Sequence, residues 1–145
     1  MQYTEILLVE DNRDDAELIM NALKKHQVLS KINHVTDGAE ALDFIYRRGN
    51  FSNRAPAVPR LIILDLRLPK MDGHEVLKAL KTDPETKLIP VVVMTASQEE
   101  EDRTKSYHLG ANSFIVKPAS PDVFAKAVSD LGTYWIMLNE STGNA

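Results

Sequence analysis

A doubly wound α/β domain, with five parallel strands in one sheet and helices on both faces, is the fold class this sequence predicts. Three observations predict it. Four short apolar runs, Ile6-Leu7-Leu8-Val9, Leu61-Ile62-Ile63-Leu64, Val91-Val92-Val93-Met94 and Phe114-Ile115-Val116, are branched, unalternated and brief, as strands buried on both faces are. Amphipathic helical patterns lie between the runs. The two kinds of segment alternate strictly, which implies a parallel sheet joined by right-handed crossovers.

The elements follow in order. The first run is a central strand. Ala16, Ile19, Met20 and Leu23 fall at i, i+3, i+4 and i+7 and predict the first helix. Ile32 to Val35, interrupted by Asn33 and His34, is a weaker strand that belongs at a sheet edge. Ala41, Leu42, Ile45 and Tyr46 make the stripe of the second helix, and Val76, Leu77 and Leu80 that of the third, with Asp72 placed as its N-cap. Gln98 to Leu109 is a helix with a thin apolar stripe; its acidic start, Glu99-Glu100-Glu101-Asp102, suits the positive end of a helix dipole. Phe124, Val128, Leu131, Trp135 and Leu138 give a last helix at 4-3-4-3 spacing. Asn139 to Ala145 reads as a polar frayed tail.

Composition bounds the function. The chain has 145 residues, no cysteine, 17 Lys plus Arg against 21 Asp plus Glu, and a net charge of -4. That is one domain's length, with no room for an output domain after residue 138. The absence of cysteine excludes disulfides, zinc ribbons and thiol catalysis. The mild acidity argues against a nucleic-acid duplex or an anionic membrane as partner. No basic region precedes Ile6, and the run behind it is too short for a signal peptide or a span, which reads as a cytoplasmic protein.

Ligands of open α/β sheets bind at the carboxyl ends of the strands. Glu10-Asp11-Asn12 follow the first run, Asp65 the third strand, Thr95-Ala96 the fourth and Lys117-Pro118 the fifth. Any one of these is an ordinary turn or cap residue. Together, Glu10, Asp11 and Asp65 would repel one another in a cleft unless a cation sat among them, and hard oxygen ligands in small number favour Mg²⁺. Lys117 adds a second compensating charge. Phosphoryl transfer to a carboxylate fits this set. A flavodoxin-type FMN site is disfavoured because the first loop, Glu10-Asp11-Asn12-Arg13-Asp14-Asp15, is acidic. A haloacid-dehalogenase-type phosphatase is disfavoured because Arg67, not Asp, stands two residues beyond Asp65.

Val9-Glu10-Asp11-Asn12, Leu64-Asp65-Leu66-Arg67-Leu68-Pro69-Lys70-Met71-Asp72-Gly73, Met94-Thr95-Ala96 and Val116-Lys117-Pro118 resemble the four signatures of the two-component response-regulator receiver domain, over roughly Glu5 to Leu131. The resemblance implies the flavodoxin-like receiver topology. It implies Asp65 as phosphoacceptor from a phosphohistidine on a partner histidine kinase or phosphotransfer protein. Glu10, Asp11, Asp65 and the backbone carbonyl of Arg67 would be the Mg²⁺ ligands. Lys117 and Thr95 would stabilise the phosphoryl group, Thr95 and Phe114 would form the switch, and the bond to Pro118 would be cis. Core packing explains Phe114 equally well. None of the four histidines shows metal spacing, and the phosphodonor histidine belongs on another protein.

Three features depart from the common pattern. Arg67 places a cation beside the acceptor. The segment Arg47 to Arg60 is long, carries four arginines and should lie at the sheet edge opposite the site, as a solvated loop or a docking surface. The stripe of the last helix outruns the expected sheet, so Phe124, Val128, Leu131, Trp135 and Leu138 could form a homodimer seam or simply cap the core. The expectation is a stand-alone response regulator, not an enzyme beyond turnover of its own acyl phosphate. Its last helix and long loop are similar to the regulators paired with phytochrome-type kinases. A pseudo-receiver scaffold that is never phosphorylated is the alternative.

Overall fold

The computed structural model describes residues 4–24 and 30–138, without the side chains of residues 4, 30, 137 and 138. Strands β1 (Thr4–Val9), β2 (Ser30–Val35), β3 (Leu61–Leu64), β4 (Val91–Thr95) and β5 (Ser113–Val116) alternate with helices α1 (Arg13–Lys24), α2 (Gly38–Tyr46), α3 (Gly73–Thr82), α4 (Glu100–His108) and α5 (Pro121–Gly132). The strands form one parallel sheet in the order β2-β1-β3-β4-β5, so the strand order reverses beside β1 and β3. A crevice opens at their carboxyl ends.

The period of two along each strand sorts the apolar residues into two cores. Leu7, Val9, Ile62, Leu64, Val91 and Val93 face α2 and α3, where Phe44, Val76, Leu77 and Leu80 cover them. Ile6, Leu8, Ile63, Val92 and Met94 face the other way, against Ala16, Ile19 and Leu23 of α1 and Phe124, Val128 and Leu131 of α5. Residues that looked unalternated in sequence therefore do alternate; both faces are apolar because both are covered. All four residues of β5 are only half-buried, since β5 has one neighbour and is an edge strand like β2.

Helix ends follow local chemistry. Asp72 accepts from the Glu75 N–H at 3.0 Å, as predicted. Asp37 caps α2 by accepting from the Glu40 N–H at 2.7 Å, while the Glu40 carboxylate reaches back to the Thr36 N–H, one residue before the cap, at 3.0 Å. α4 buries only Ser106, which explains its thin stripe.

The last helix departs from expectation. α5 gives way at Thr133 to a π-helical turn, Thr133–Leu138, which breaks the 4-3-4-3 phase because each turn takes up more residues. Phe124, Val128 and Leu131 are buried within the second core, which for these three favours the core-packing reading over the seam: the sheet and α1 already cover them. Trp135 and Ile136 pack against the same core. The Leu138 side chain and the tail from Asn139 lie outside the described residues.

The arginine-rich connection is mostly exposed but is anchored by two ordered features. A 3₁₀ turn, Gly49–Phe51, sets Phe51 edge-on to Phe44, with ring centroids 5.2 Å apart. Arg54 threads beneath it. Its guanidinium donates to the Phe44 carbonyl at 3.0 Å, to the Ala57 carbonyl at 2.9 Å and to Glu5 at 3.1 Å, and lies 4.1 Å from the Phe44 ring centre. Its partner Glu5 stands at the amino end of β1, where the Arg60 N–H also bonds the Glu5 carbonyl. The connection is thus at the end of the sheet away from the crevice.

Candidate functional site

Three predicted positions meet in the crevice because backbone pairing puts them there. Val9 and Leu64 are register partners at the ends of β1 and β3, so Glu10 and Asp65 are the next residues along neighbouring strands. The Glu10 N–H donates to Val35 O at 3.1 Å and the Asp65 N–H to Val9 O at 3.0 Å, which extends the sheet's pairing to the site itself. At the end of β5, the Lys117 N–H donates to Thr95 O at 2.8 Å.

The Lys117 ammonium is the centre of charge. It lies 2.6 Å from Glu10 Oε1, 2.8 Å from Asp15 Oδ2 and 2.8 Å from Asp65 Oδ2, with 7% of its side chain exposed. The second oxygen of Glu10 accepts the Asn12 N–H at 3.2 Å, and Asp65 Oδ1 accepts the Arg67 N–H at 3.2 Å. His34 Nε2 meets the Glu10 carbonyl at 2.7 Å. Burial pushes the Glu10 carboxyl up to about 8, against the pull of Lys117. Burial also works to raise Asp65, but hydrogen bonds from Lys117, Glu10 and the Arg67 N–H hold it below the ordinary carboxylate range. Lys117, itself disfavoured by burial, is carried above the usual lysine range by its three carboxylates. Two neighbouring carboxyls pushed apart in this way leave one the more basic and the other ionised.

Glu10, Asp11 and Asp65 each offer an oxygen within 4.8 Å of the others. Three carboxylates, those of Glu10, Asp15 and Asp65, contact one ammonium, and Asp11 adds a fourth acid beside two of them. The surplus negative charge, all of it on hard oxygens and two of the groups buried, fits a small divalent cation.

The remaining predicted residues fall around this centre. Thr95 is fully buried and its hydroxyl accepts the Ser97 N–H at 3.3 Å. It is not the cap of α4; the N-cap there is Glu99, with no side-chain bond. Phe114 is half-buried against the first core, and its N–H donates to the Tyr107 hydroxyl at 3.1 Å. The side chain of Arg67 turns away from Asp65 to pair with Asp102 of α4 at 2.8 Å. The expected cis bond at Pro118 is corrected: the described peptide bonds are all trans. Trans is the lower-energy isomer, and the carboxylates around Lys117 aim its side chain without a cis bond.

Sequence reasoning missed Asp15, whose place in α1, one turn beyond Asp11, was the available signal. Gly73 opens α3 beside the acceptor. A Cβ there would stand 2.3 Å from the Asp65 carbonyl oxygen and 2.6 Å from Leu66 Cα, so glycine is required for α3 to start against the acceptor's own backbone.

A model of the response regulator receiver domain matches residues 6–129. The chain is 41% identical over 140 residues, 97% of its length and 88% of the relative's, to the probable methanogenesis regulatory protein FilR2 of Methanothrix harundinacea. It is 39% identical over 131 residues to the response regulator Rcp1 of Synechocystis, covering 90% and 88% of the two chains. The Mn²⁺-bound crystal structure of Rcp1 superposes with a TM-score of 0.90 at 36% identity, over 95% of this chain and 98% of that one. The crystal structure of the phosphorylated cyanobacterial phytochrome response regulator RcpA superposes with a TM-score of 0.93 at 38% identity, over 97% and 99%.

Proposed function

This chain belongs to the response regulator receiver domain family, and from that premise we propose that Asp65 accepts a phosphoryl group from a partner histidine kinase or phosphotransfer protein in a two-component relay. The observation that carries the reading is the Lys117 ammonium 2.8 Å from Asp65 and 2.6 Å from Glu10, at the carboxyl ends of β1 and β3. Asp65 supplies the attacking oxygen: its bond to phosphorus forms as the donor's P–N bond breaks, and the leaving imidazole takes up a proton. Lys117 keeps the attacking carboxylate ionised and then offers a proton to a phosphoryl oxygen. Thr95 supplies the hydroxyl nearest in sequence to the end of β4 for the same group, and Phe114 shares in the switch as a half-buried ring on an edge strand. Glu10, Asp11 and Asp65, with the Arg67 carbonyl, would hold a Mg²⁺ ion. Once bound, that ion neutralises charge on the phosphoryl oxygens. The Mn²⁺-bound form of Rcp1 supports a divalent ion of this class.

Turnover beyond the chain's own acyl phosphate is not part of the proposal. Incubation with acetyl phosphate and Mg²⁺ should add one phosphate by intact mass, and Asp65→Asn should take up none. A wild type that stays unmodified would instead support the interaction scaffold.

The partner kinase is proposed to be of the phytochrome type, on the likeness to RcpA, and the compartment to be the cytoplasm; among the described residues no helix is long and apolar enough to cross a membrane. Nucleic acid is not proposed as a partner, because the net charge is -4. A homodimer would use the turn after α5 rather than the α5 stripe: Tyr134 is 51% exposed and stands edge-on to Trp135 at 5.1 Å. Light scattering decides this. Equal masses for wild type and Tyr134→Ser at high concentration refute the seam.

A further inference from the structure

We propose that Asp15 is a positioning residue for the phosphoryl transfer: it anchors the Lys117 ammonium at the rim of the site, so that the ammonium moves from Asp65 to a phosphoryl oxygen without leaving the site. The inference rests on the phosphoacceptor reading above.

An ammonium has three protons and no acceptor. The Lys117 nitrogen has three carboxylate partners at 2.6–2.8 Å, Glu10, Asp15 and Asp65, and donates hydrogen bonds to Asp15 and Asp65. Two of the three partners belong to the group whose oxygens cluster within 4.8 Å, formed by Glu10, Asp11 and Asp65; Asp15 stands outside it. Asp15 is therefore the one partner of Lys117 with no share in that cluster. It is also the most open of the three, with 30% of its side chain exposed against 1% for Glu10 and 8% for Asp65. Asp15 therefore holds the ammonium from the more solvent-exposed side of the contact.

The anchor is itself fixed. Asn12 caps α1, its side-chain oxygen accepting the Asp15 N–H at 2.9 Å and its carbonyl the Ala16 N–H at 2.9 Å. The first turn of α1 thus holds the Asp15 backbone while its side chain crosses to β5.

Transfer requires this arrangement to change by one hydrogen bond. When an Asp65 oxygen bonds to phosphorus, the donor's P–N bond breaks and its electron pair stays on the imidazole nitrogen, which gains a proton. The single negative charge of Asp65 becomes an acyl phosphate with ionised phosphoryl oxygens. One proton of Lys117 then exchanges Asp65 for a phosphoryl oxygen; the other two stay on Glu10 and Asp15. Without Asp15, the ammonium settles between Glu10 and Asp65 and masks the attacking oxygen.

An acidic residue in the first turn of a helix also favours the helix dipole, and that effect would be independent of Lys117. A double-mutant cycle separates the two roles. The rate of phosphorylation by acetyl phosphate at saturating Mg²⁺ should fall about tenfold in Asp15→Ala, the scale of a hydrogen bond to a charged group. Asp15→Asn, which keeps an acceptor oxygen, should recover part of it. In a Lys117→Ala background, Asp15→Ala should change nothing. Equal losses in both backgrounds, or none in the wild-type background, overturn the proposal. Where Lys117→Ala is too slow to follow, the ¹⁵N–¹H signal of the Lys117 ammonium, recorded without any phosphate donor, decides. Its protons should exchange faster in Asp15→Ala, and an unchanged signal overturns the anchor. A wild type that takes up no phosphate defeats the phosphoacceptor reading and this role together. A phosphorylated protein indifferent to Asp15 defeats this inference alone.

Discussion

Replacing Gly73 with alanine tests how tightly the acceptor is built into the fold. Gly73 opens α3 and donates its N–H to the Leu66 carbonyl at 2.9 Å. An added Cβ would meet the Asp65 carbonyl oxygen at 2.3 Å and Leu66 Cα at 2.6 Å. Both are backbone atoms, so no side chain can rotate out of the way. Ordinary carbon–oxygen contact begins near ~3.3 Å, so α3 and the end of β3 must part by roughly 1 Å. Overpacking on that scale costs about 1–3 kcal/mol. A misplacement of about 1 Å at the reacting group is enough to slow it ~100-fold. Urea unfolding should report the first loss and single-turnover phosphorylation by acetyl phosphate the second. Gly49→Ala is the control. Its φ is +55° but its new Cβ would find only Asp43 Oδ2, at 3.5 Å, so it should lose about 1 kcal/mol to the left-handed backbone and keep its rate. If Gly73→Ala is no less stable than Gly49→Ala and phosphorylates within about twofold of wild type, glycine's place at the acceptor is not steric.

Three further outcomes follow from the contacts described. Asp11→Asn should weaken Mg²⁺ binding by calorimetry while leaving the unfolding midpoint unchanged or raised, because it relieves carboxylate repulsion; an unaltered titration removes Asp11 from the ligand set. Arg54→Ala should cost roughly 2–4 kcal/mol in urea, since it strands Glu5 in a pair with 12% and 18% exposure. Arg48→Ala, whose pair with Asp43 is mostly solvated, should cost under ~0.5 kcal/mol, and equal losses would mean the connection is not anchored as described. Tyr46→Phe removes a 2.6 Å bond to Asp83 and should lower the melting temperature at neutral pH. That bond holds the Asp83 carboxyl below its usual range, so its stabilisation is present above the ordinary carboxylate pKa and lost as pH falls through the lowered one. Burial, with Asp83, raises the Tyr46 hydroxyl, so that contribution is lost only as pH rises through the raised value. A gap between wild type and Tyr46→Phe that persists undiminished into strong acid contradicts this pairing.

The elements were legible because each has a local cause. β1, β3 and β4 are apolar runs with no polar face, and α1 to α3 carry stripes at helical spacing; such patterns are properties of a few adjacent residues. Asp72 announced the start of α3 by chemistry within one turn. The acids after β1 and β3 were legible as a group once a parallel sheet was inferred, because that topology brings strand ends together. The last helix was misread where local spacing ran out. Leu131 and Trp135 keep a helical interval in sequence, yet a π-helical turn rotates Trp135 and Ile136 onto the second core. Arg54 was misread for a related reason: four arginines in a connection look solvated, and only the position of Glu5 and the Phe44 ring explains why one of them is largely withdrawn from solvent.

The sequence by itself determined the strand and helix content, the parallel sheet, and the acidic and cationic residues at its carboxyl edge. Those depend on periodicity and on order along the chain. Tertiary structure alone decided which charges touch. Lys117 and Asp15 are 102 residues apart, as Arg67 and Asp102 are 35 apart. Both pairings are set by distances of a few ångströms between elements, which no local pattern encodes. The same holds for Gly73 against the Asp65 backbone, where the requirement comes from a neighbour's atoms rather than from the turn in which the glycine stands.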